Sequence, residues 1–310
     1  MKGYILISTL SIITILSLIV IFISRSIFQD TVKTSIFNNS IFYRIQLINY
    51  EKFLVQSLQN NSNFLRNLDL ATYQLEEMIN EKYEDISVNF IDMNTCFNLN
   101  SVTKQQGINL VKSENGIQKF KALLNNISFD KNRENEFIDR LVDQIDTNNL
   151  PETFGAEDLY YVSNDQLNLT ADSLLITKSQ LKELNFLTPS EVNNIYKVTC
   201  ALPDTTIKFN INSLSSANMI TFLSIFPNLT LNDGAKIISN KPEFGYLNLA
   251  NFMDVNNLDV GDFQSDMIIF KPEYLKIIYN FNLNNYSFRL LSFIDLKRRE
   301  DYLIFRTISE

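Results

Sequence analysis

Tyr4-Ile5-Leu6-Ile7-Ser8-Thr9-Leu10-Ser11-Ile12-Ile13-Thr14-Ile15-Leu16-Ser17-Leu18-Ile19-Val20-Ile21-Phe22-Ile23 runs without a charge or a proline, behind Lys2-Gly3 and ahead of Arg25. At 1.5 Å per helical residue these residues match the roughly 30 Å hydrocarbon core of a bilayer. A secretory signal has a shorter apolar core and a small-x-small cleavage site behind it. Here Ser24-Arg25-Ser26-Ile27-Phe28 follows, so the helix is expected to be retained as an anchor. Lys2 and the initiator amine lie on the short side, which places that side in the cytoplasm and the rest across the membrane.

Outward from the span, the helical pattern continues. Phe28, Val32, Ile36, Ile41, Ile45, Ile48 and Val55 recur at helical spacings, which predicts one helix of about fifty residues, half of it beyond the lipid. Asn60-Asn61-Ser62-Asn63 is its expected break, with a second amphipathic segment near Leu65–Lys82. Ile86–Ile91 reads as a strand, followed by a turn at Asp92-Met93-Asn94. From Val102 to Phe252 short amphipathic pieces predict helices at Ile117–Ile127, Asn135–Ile145, Lys178–Phe186, Ser190–Cys200 and Ser215–Phe226. Thr188-Pro189-Ser190-Glu191 is a helix start, with proline at the first helical position and glutamate placed for a capping box. After Phe252 the period changes to two. Ile277, Tyr279, Phe281 and Leu283 alternate, Asn284-Asn285 reads as a turn, Tyr286, Phe288 and Leu290 alternate back, and Tyr302–Ile308 adds a third strand.

Composition removes several chemistries. The chain has 310 residues, 45% of them hydrophobic, enough to bury a real core beyond the span. Its net charge of −8 without a basic patch argues against nucleic acid and anionic headgroups as partners. There is no histidine, which excludes histidine-dependent triads and histidine-ligated metals. Two cysteines, Cys96 and Cys200, lack zinc or redox spacing; they read as one disulfide in an oxidising compartment, with two free buried thiols as the alternative.

Two phrases echo each other, Cys96-Phe97-Asn98-Leu99-Asn100-Ser101 and Phe209-Asn210-Ile211-Asn212-Ser213. Their asparagines suit capping and turn chemistry, or amide oxygens turned toward an ion. The densest acidic block runs from Asp139 to Tyr161. Asp139, Asp143 and Asp146 share one helical face, where three carboxylates repel one another unless a cation or a basic partner sits among them. A loop with Thr147, Asn148 and Gly155 then delivers Glu157 and Asp158. Oxygen donors without histidine or cysteine suit calcium, although the EF-hand pattern is absent; a solvated acidic face and a paired-carboxylate hydrolase are the other readings.

At these residues the chain resembles the type II secretion system minor pseudopilin K, the general secretion pathway protein K family. Asp143-Gln144-Ile145-Asp146-Thr147-Asn148, Pro151, Gly155-Ala156-Glu157-Asp158, Tyr160-Tyr161 and both asparagine phrases carry the resemblance, which runs essentially end to end. It implies an α+β fold: a pilin-like long N-terminal helix plus an antiparallel sheet, with a large inserted all-α domain. The implied boundaries are 1–3 for a prepilin leader, 4–24 for the span, 25–102 for the first pilin part, 103–259 for the insert and 260–310 for the closing strands. It also implies cleavage after Gly3 by the prepilin peptidase with methylation of Tyr4. Ser8 then stands where most pseudopilins have glutamate. Calcium is implied at Asp143, Asp146, Asn148, Glu157 and Asp158.

Departures are visible in the same stretches. Gln144 stands where the family usually has Trp, Asn148 replaces the commoner aspartate, and Lys2 is the only basic residue of a short leader. The expected function is non-enzymatic: a subunit at the tip of the type II secretion pseudopilus that starts its assembly. It would sit in the inner membrane with its C-terminal domain in the periplasm. Expected partners are I-like and J-like minor pseudopilins, the prepilin peptidase, and at the tip secreted cargo and the outer-membrane secretin. The alternatives are a minor pilin of a type IV or competence pilus and a membrane-anchored periplasmic hydrolase.

Overall fold

The computed structural model describes residues 2–80, 86–165, 169–258, 264–283 and 286–309. Helix α1 spans Lys2–Asn60 without interruption, 59 residues or about 90 Å of rise. Its apolar side chains stand exposed along the predicted span, and among the described residues it is the one helix long and apolar enough to cross a membrane. The predicted stop holds: Asn61 leaves helical geometry and its side chain accepts the Asn63 N–H. The second segment divides at Asn67 into α2 (Ser62–Arg66) and α3 (Leu68–Asn80). Asn67 is extended, and its side-chain oxygen accepts the Leu70 N–H. By its contacts the chain divides into two compact units, 1–56 and 57–310.

Strand β1 (Ile86–Asp92) opens the sheet, with Ile86, Val88 and Phe90 buried and their neighbours more open, as period-two alternation requires. A 3-10 turn at Met93–Thr95 leads into β2 (Phe97–Asn98). A hairpin follows, β3 (Thr103–Gln106) and β4 (Asn109–Lys112), turning at Gly107 with φ +64. The helical stretch is therefore not all-α. Thr103-Lys104-Gln105-Gln106 has no apolar alternation, so nothing in its pattern announces a strand.

Next come α4 (Glu114–Asn126), α5 (Lys131–Asp143) and α6 (Asp158–Ser163), a 3-10 segment at Lys178–Leu184, and α7 (Pro189–Val198). The α7 start carries the predicted capping box between Thr188 and Glu191. Then β5 (Thr199–Cys200), β6 (Phe209–Asn210), α8 (Met219–Ile225), α9 (Leu231–Ser239), α10 (Leu249–Asn256) and β7 (Ile268–Ile269) complete the excursion. Its core is one cluster built on Phe97, Phe120, Phe137, Phe209, Phe222 and Phe252, all fully buried.

The chain returns to the sheet as β8 (Tyr274–Leu283), β9 (Tyr286–Asp295) and β10 (Leu303–Ser309). The predicted turn at Asn284-Asn285 and the boundary at 259 and 260 lie outside the described residues. Strand order is β1-β8-β9-β10, antiparallel throughout, with Asp92 opposite Leu275. Leu275, Ile277, Tyr279, Leu290 and Ile294 are buried, and α3 packs against β1 with Ala71 and Leu75 buried. The fold is thus mixed α+β: a long N-terminal helix, an antiparallel sheet and a helical region placed between its first two strands in sequence.

Candidate metal centre

Both asparagine phrases form the same device. Asn98 and Asn210 end short strands that pair in parallel, β2 with β5 and β6 with β7. Each turns its side-chain oxygen onto the N–H two residues on, at 3.2 Å for Asn100 and 3.2 Å for Asn212. Asn100 then grips a distant peptide: its oxygen accepts the Leu175 N–H at 2.8 Å, and its amide donates to the carbonyls of Leu175 at 2.9 Å and Leu202 at 2.7 Å. Asn212 does likewise with the Tyr246 N–H, the Tyr246 carbonyl and the Phe270 carbonyl, at 2.6, 3.0 and 2.8 Å. Their amide oxygens are occupied by backbone donors, which makes them structural clasps. Asp92-Met93-Asn94 is a third version: Asp92 accepts the Asn94 N–H, and the Asn94 oxygen accepts the N–H groups of Glu273 and Tyr274. A disulfide between Cys96 and Cys200 fastens the same junction, with Cα atoms 5.7 Å apart.

The acidic block is organised by the end of α5. Past Asp143 the chain makes one more turn, with the N–H groups of Ile145 and Asp146 donating to the Val142 carbonyl at 2.9 and 2.8 Å. The loop that follows folds back onto α5. The Asp143 carboxylate accepts the N–H groups of Glu152, at 3.1 Å, and Ala156. Asp139 accepts the Phe154 N–H at 3.2 Å, and Lys112 of β4 reaches Glu152 at 2.8 Å. Gly155 permits the close approach, since a Cβ there would lie 1.8 Å from Asp143 Oδ2.

Asp143, Asp146 and Glu157 are all buried. Burial, with Glu152 and Asp139 adding repulsion, pushes Asp143 up to about 6 against the bonds from Glu152 and Ala156. Burial, then the charges of Asp143, Glu152 and Asp172, pushes Asp146 up to about 7. Burial, then Asp143, Asp146 and Asp172, does the same to Glu157. Asp146 Oδ1 and Glu157 Oε1 are buried without a hydrogen-bond donor, and so is the Tyr161 hydroxyl. Such orphans are costly inside a protein. The buried carboxylates of Asp143, Asp146 and Glu157 also repel one another, a condition that a hard cation would relieve.

Two expected ligands are placed differently. Asn148 is exposed; its amide donates to Asp146 Oδ2 at 2.7 Å and its oxygen accepts the Leu150 N–H at 2.8 Å. Asp158 heads α6 and accepts the N–H and hydroxyl of Thr170, at 2.9 and 2.8 Å. Asp172, absent from the sequence-derived set, acts electrostatically on both Asp146 and Glu157. It stands at φ +48 in a loop without periodicity, so no pattern marks it. Among the described residues, no three or more His, Cys, Asp or Glu side chains stand together as a finished metal cage. Gly3 and Tyr4 lie in the first turns of α1, with side-chain surroundings outside the described residues.

Residues 95–204, from the first clasp through the acidic block to the second cysteine, match the family model of type II secretion system protein K. A type II secretion system protein K of Pectobacterium carotovorum subsp. carotovorum is 27% identical over 170 residues, 53% of this chain and 51% of that protein. The protein of the same name from Klebsiella pneumoniae is 26% identical over 179 residues, 57% of this chain and 55% of that one. The chain thus spans about half the length of the curated relatives it matches. In fold it is similar to a chain in the crystal structure of the GspK-GspI-GspJ complex from the enterotoxigenic Escherichia coli type 2 secretion system. The TM-score is 0.66 at 16% identity, over 90% of this chain and 99% of that one. The matched block carries both the first clasp and the carboxylates, and it is there that the chain is similar to type II secretion system protein K.

Proposed function

We propose that this chain is a non-enzymatic minor pseudopilin that caps the type II secretion pseudopilus and starts its assembly with I-like and J-like partners. The observation that carries this is the likeness in fold, over 90% of this chain, to a chain of the GspK-GspI-GspJ complex. In this reading α1 holds the subunit in the inner membrane, N-terminus in the cytoplasm, until assembly draws it outward. The prepilin peptidase cuts after Gly3 and Tyr4 becomes the methylated terminus. The helical region then faces secreted cargo and the outer-membrane secretin.

Calcium fits the same reading as a structural ion. Asp143, Asp146 and Glu157 would hold it, and the orphaned Asp146 Oδ1 and Glu157 Oε1 support that choice. Asn148 and Asp158, already hydrogen-bonded, would serve by turning toward it. The ion would supply charge neutralisation and tie the loop after α5 to the helix end.

Two measurements on cells test the proposal. Deleting the gene is expected to stop protein export across the outer membrane, and affinity purification of the full chain is expected to bring down I-like and J-like subunits. Intact export with loss of pilus-dependent motility or DNA uptake would make it a type IV or competence minor pilin instead. Mass spectrometry finding Met1-Lys2-Gly3 still attached in peptidase-competent cells would remove the processing step. A hydrolase would lose turnover in Asp146→Asn with Glu157→Gln, whereas a pseudopilin loses calcium-dependent stability.

A further inference from the structure

The 3-10 segment Lys178–Leu184 and helix α7 enclose one continuous groove of about 590 Å³. The chain reverses between them at Asn185, which stands at φ +48, and Phe186 stacks on Phe137 of the core. Leu187 and Pro189, with Val192 and Tyr196 one helical turn apart on α7, form the apolar wall of the groove. Lys182 and Asn193 supply its polar edge, and both are exposed. A volume of this order holds a few side chains of a ligand.

The groove is cationic on a chain of net charge −8. The ammonium groups of Lys178 and Lys182 stand 5.4 and 6.0 Å from the centre of the Tyr196 ring. Lys178 donates to the Tyr196 carbonyl and, at 3.3 Å, to the Thr199 carbonyl, neutral partners that orient its charge without cancelling it. Burial, then the charge of Lys276 on β8, holds Lys178 below the usual lysine range, with no carboxylate offsetting them. Among the described residues Lys182 makes no ion pair. Glu191 is committed to Arg133 and Thr188, and Glu183 does not line the groove. The Tyr196 hydroxyl is buried without a hydrogen-bond partner, a donor left over in the wall. A polypeptide segment with apolar side chains and a carboxylate among them answers both the wall and the unpaired charge. We infer that this groove is a docking site for such an acidic, apolar segment of a partner protein, with Lys182 at its edge and Leu187, Pro189, Val192 and Tyr196 as its wall. Docking there depends on these side chains and not on the pseudopilin reading.

The test uses the full chain in phosphatidylcholine nanodiscs, with p-benzoylphenylalanine replacing Asn193 at the groove or, as a control, the exposed Leu231 on α9. The probes are a short Leu/Glu peptide and its Leu/Lys counterpart. Photo-adduct with the Leu/Glu peptide is expected to be about tenfold greater at 193 than at 231, and about tenfold greater than with the Leu/Lys peptide at 193. Lys182→Glu should cut that preference for the Leu/Glu peptide about fivefold or more, because it reverses the charge at the edge. Lys182 is exposed and unpaired, so unchanged melting of Lys182→Glu verifies folding. Equal adduct at both positions, equal capture of both peptides, a preference untouched by Lys182→Glu, or adducts at 193 mainly with lipid or a second copy would overturn the inference.

Discussion

Replacing Asn100 by alanine strips three backbone groups of their partners at once: the Leu175 N–H, the Leu175 carbonyl and the Leu202 carbonyl. The side chain is fully buried, so bulk water does not reach those groups without opening the core. Each stranded group costs about 1–3 kcal/mol, which puts the loss at about 3–6 kcal/mol when a trapped water recovers part of it. For a unit of this size 1 kcal/mol shifts melting by roughly 2–4 °C, so Asn100→Ala is expected to melt about 10 °C lower. Asn100→Asp keeps the acceptor, loses both donors and buries a charge, and should do worse at neutral pH. Asn212→Ala strands the equivalent three groups at Tyr246 and Phe270 and should cost as much. Thermal unfolding of the full chain in nanodiscs, followed by near-ultraviolet circular dichroism, reads all three. Asn125→Ala, at an exposed site, is the control. A fall of less than 2 °C for Asn100→Ala would refute the clasp reasoning.

Reduction of the Cys96–Cys200 bridge, or Cys96→Ala with Cys200→Ala, releases a closure of 104 residues and is expected to cost about 4–5 kcal/mol, read as a lower denaturation midpoint. Millimolar calcium is expected to raise melting by the equivalent of about 3 kcal/mol if it is near 100 times the dissociation constant. Asp146→Asn with Glu157→Gln should abolish that increment while leaving calcium-free stability equal or higher; a retained increment would place the ion elsewhere. Asp92 is buried among Ser213, Asn210 and Asn94, and burial pushes it up to about 6 from 3.8. The folded state therefore holds its proton more tightly than the unfolded state. Its contribution is full below pH 4 and is lost as pH rises to about 6, a change of about 3 kcal/mol. Asp92→Asn should flatten stability across that window, which denaturation at stepped pH measures directly.

The anchor and the meander were legible because each repeats one simple pattern over many residues: unbroken apolar sequence in α1, alternation in β8 and β9. The clasp was half legible. Capping by Asn98 and Asn210 follows from the local phrase, but the peptides gripped by Asn100 lie 75 and 102 residues away, and no local pattern points to them. The β3–β4 hairpin was hidden by its polar strands, and the parallel pairs β2·β5 and β6·β7 are two residues long, too short for any period. In the acidic block, shared placement of Asp143 and Asp146 could be read from spacing. The turning of Asn148 and Asp158 toward Leu150 and Thr170 could not, because it depends on how the loop folds back.

Asp92 and Leu275 stand on one rung of the sheet, so the intervening residues 93–274 depart and return through the same doorway. A short reverse turn could bridge that doorway and leave β1-β8-β9-β10 with its order and register unchanged. The whole helical head is then a cassette: it can lengthen, diverge or be exchanged between relatives without asking the sheet to re-pair. Change can concentrate in that insertion while the sheet keeps its pairing.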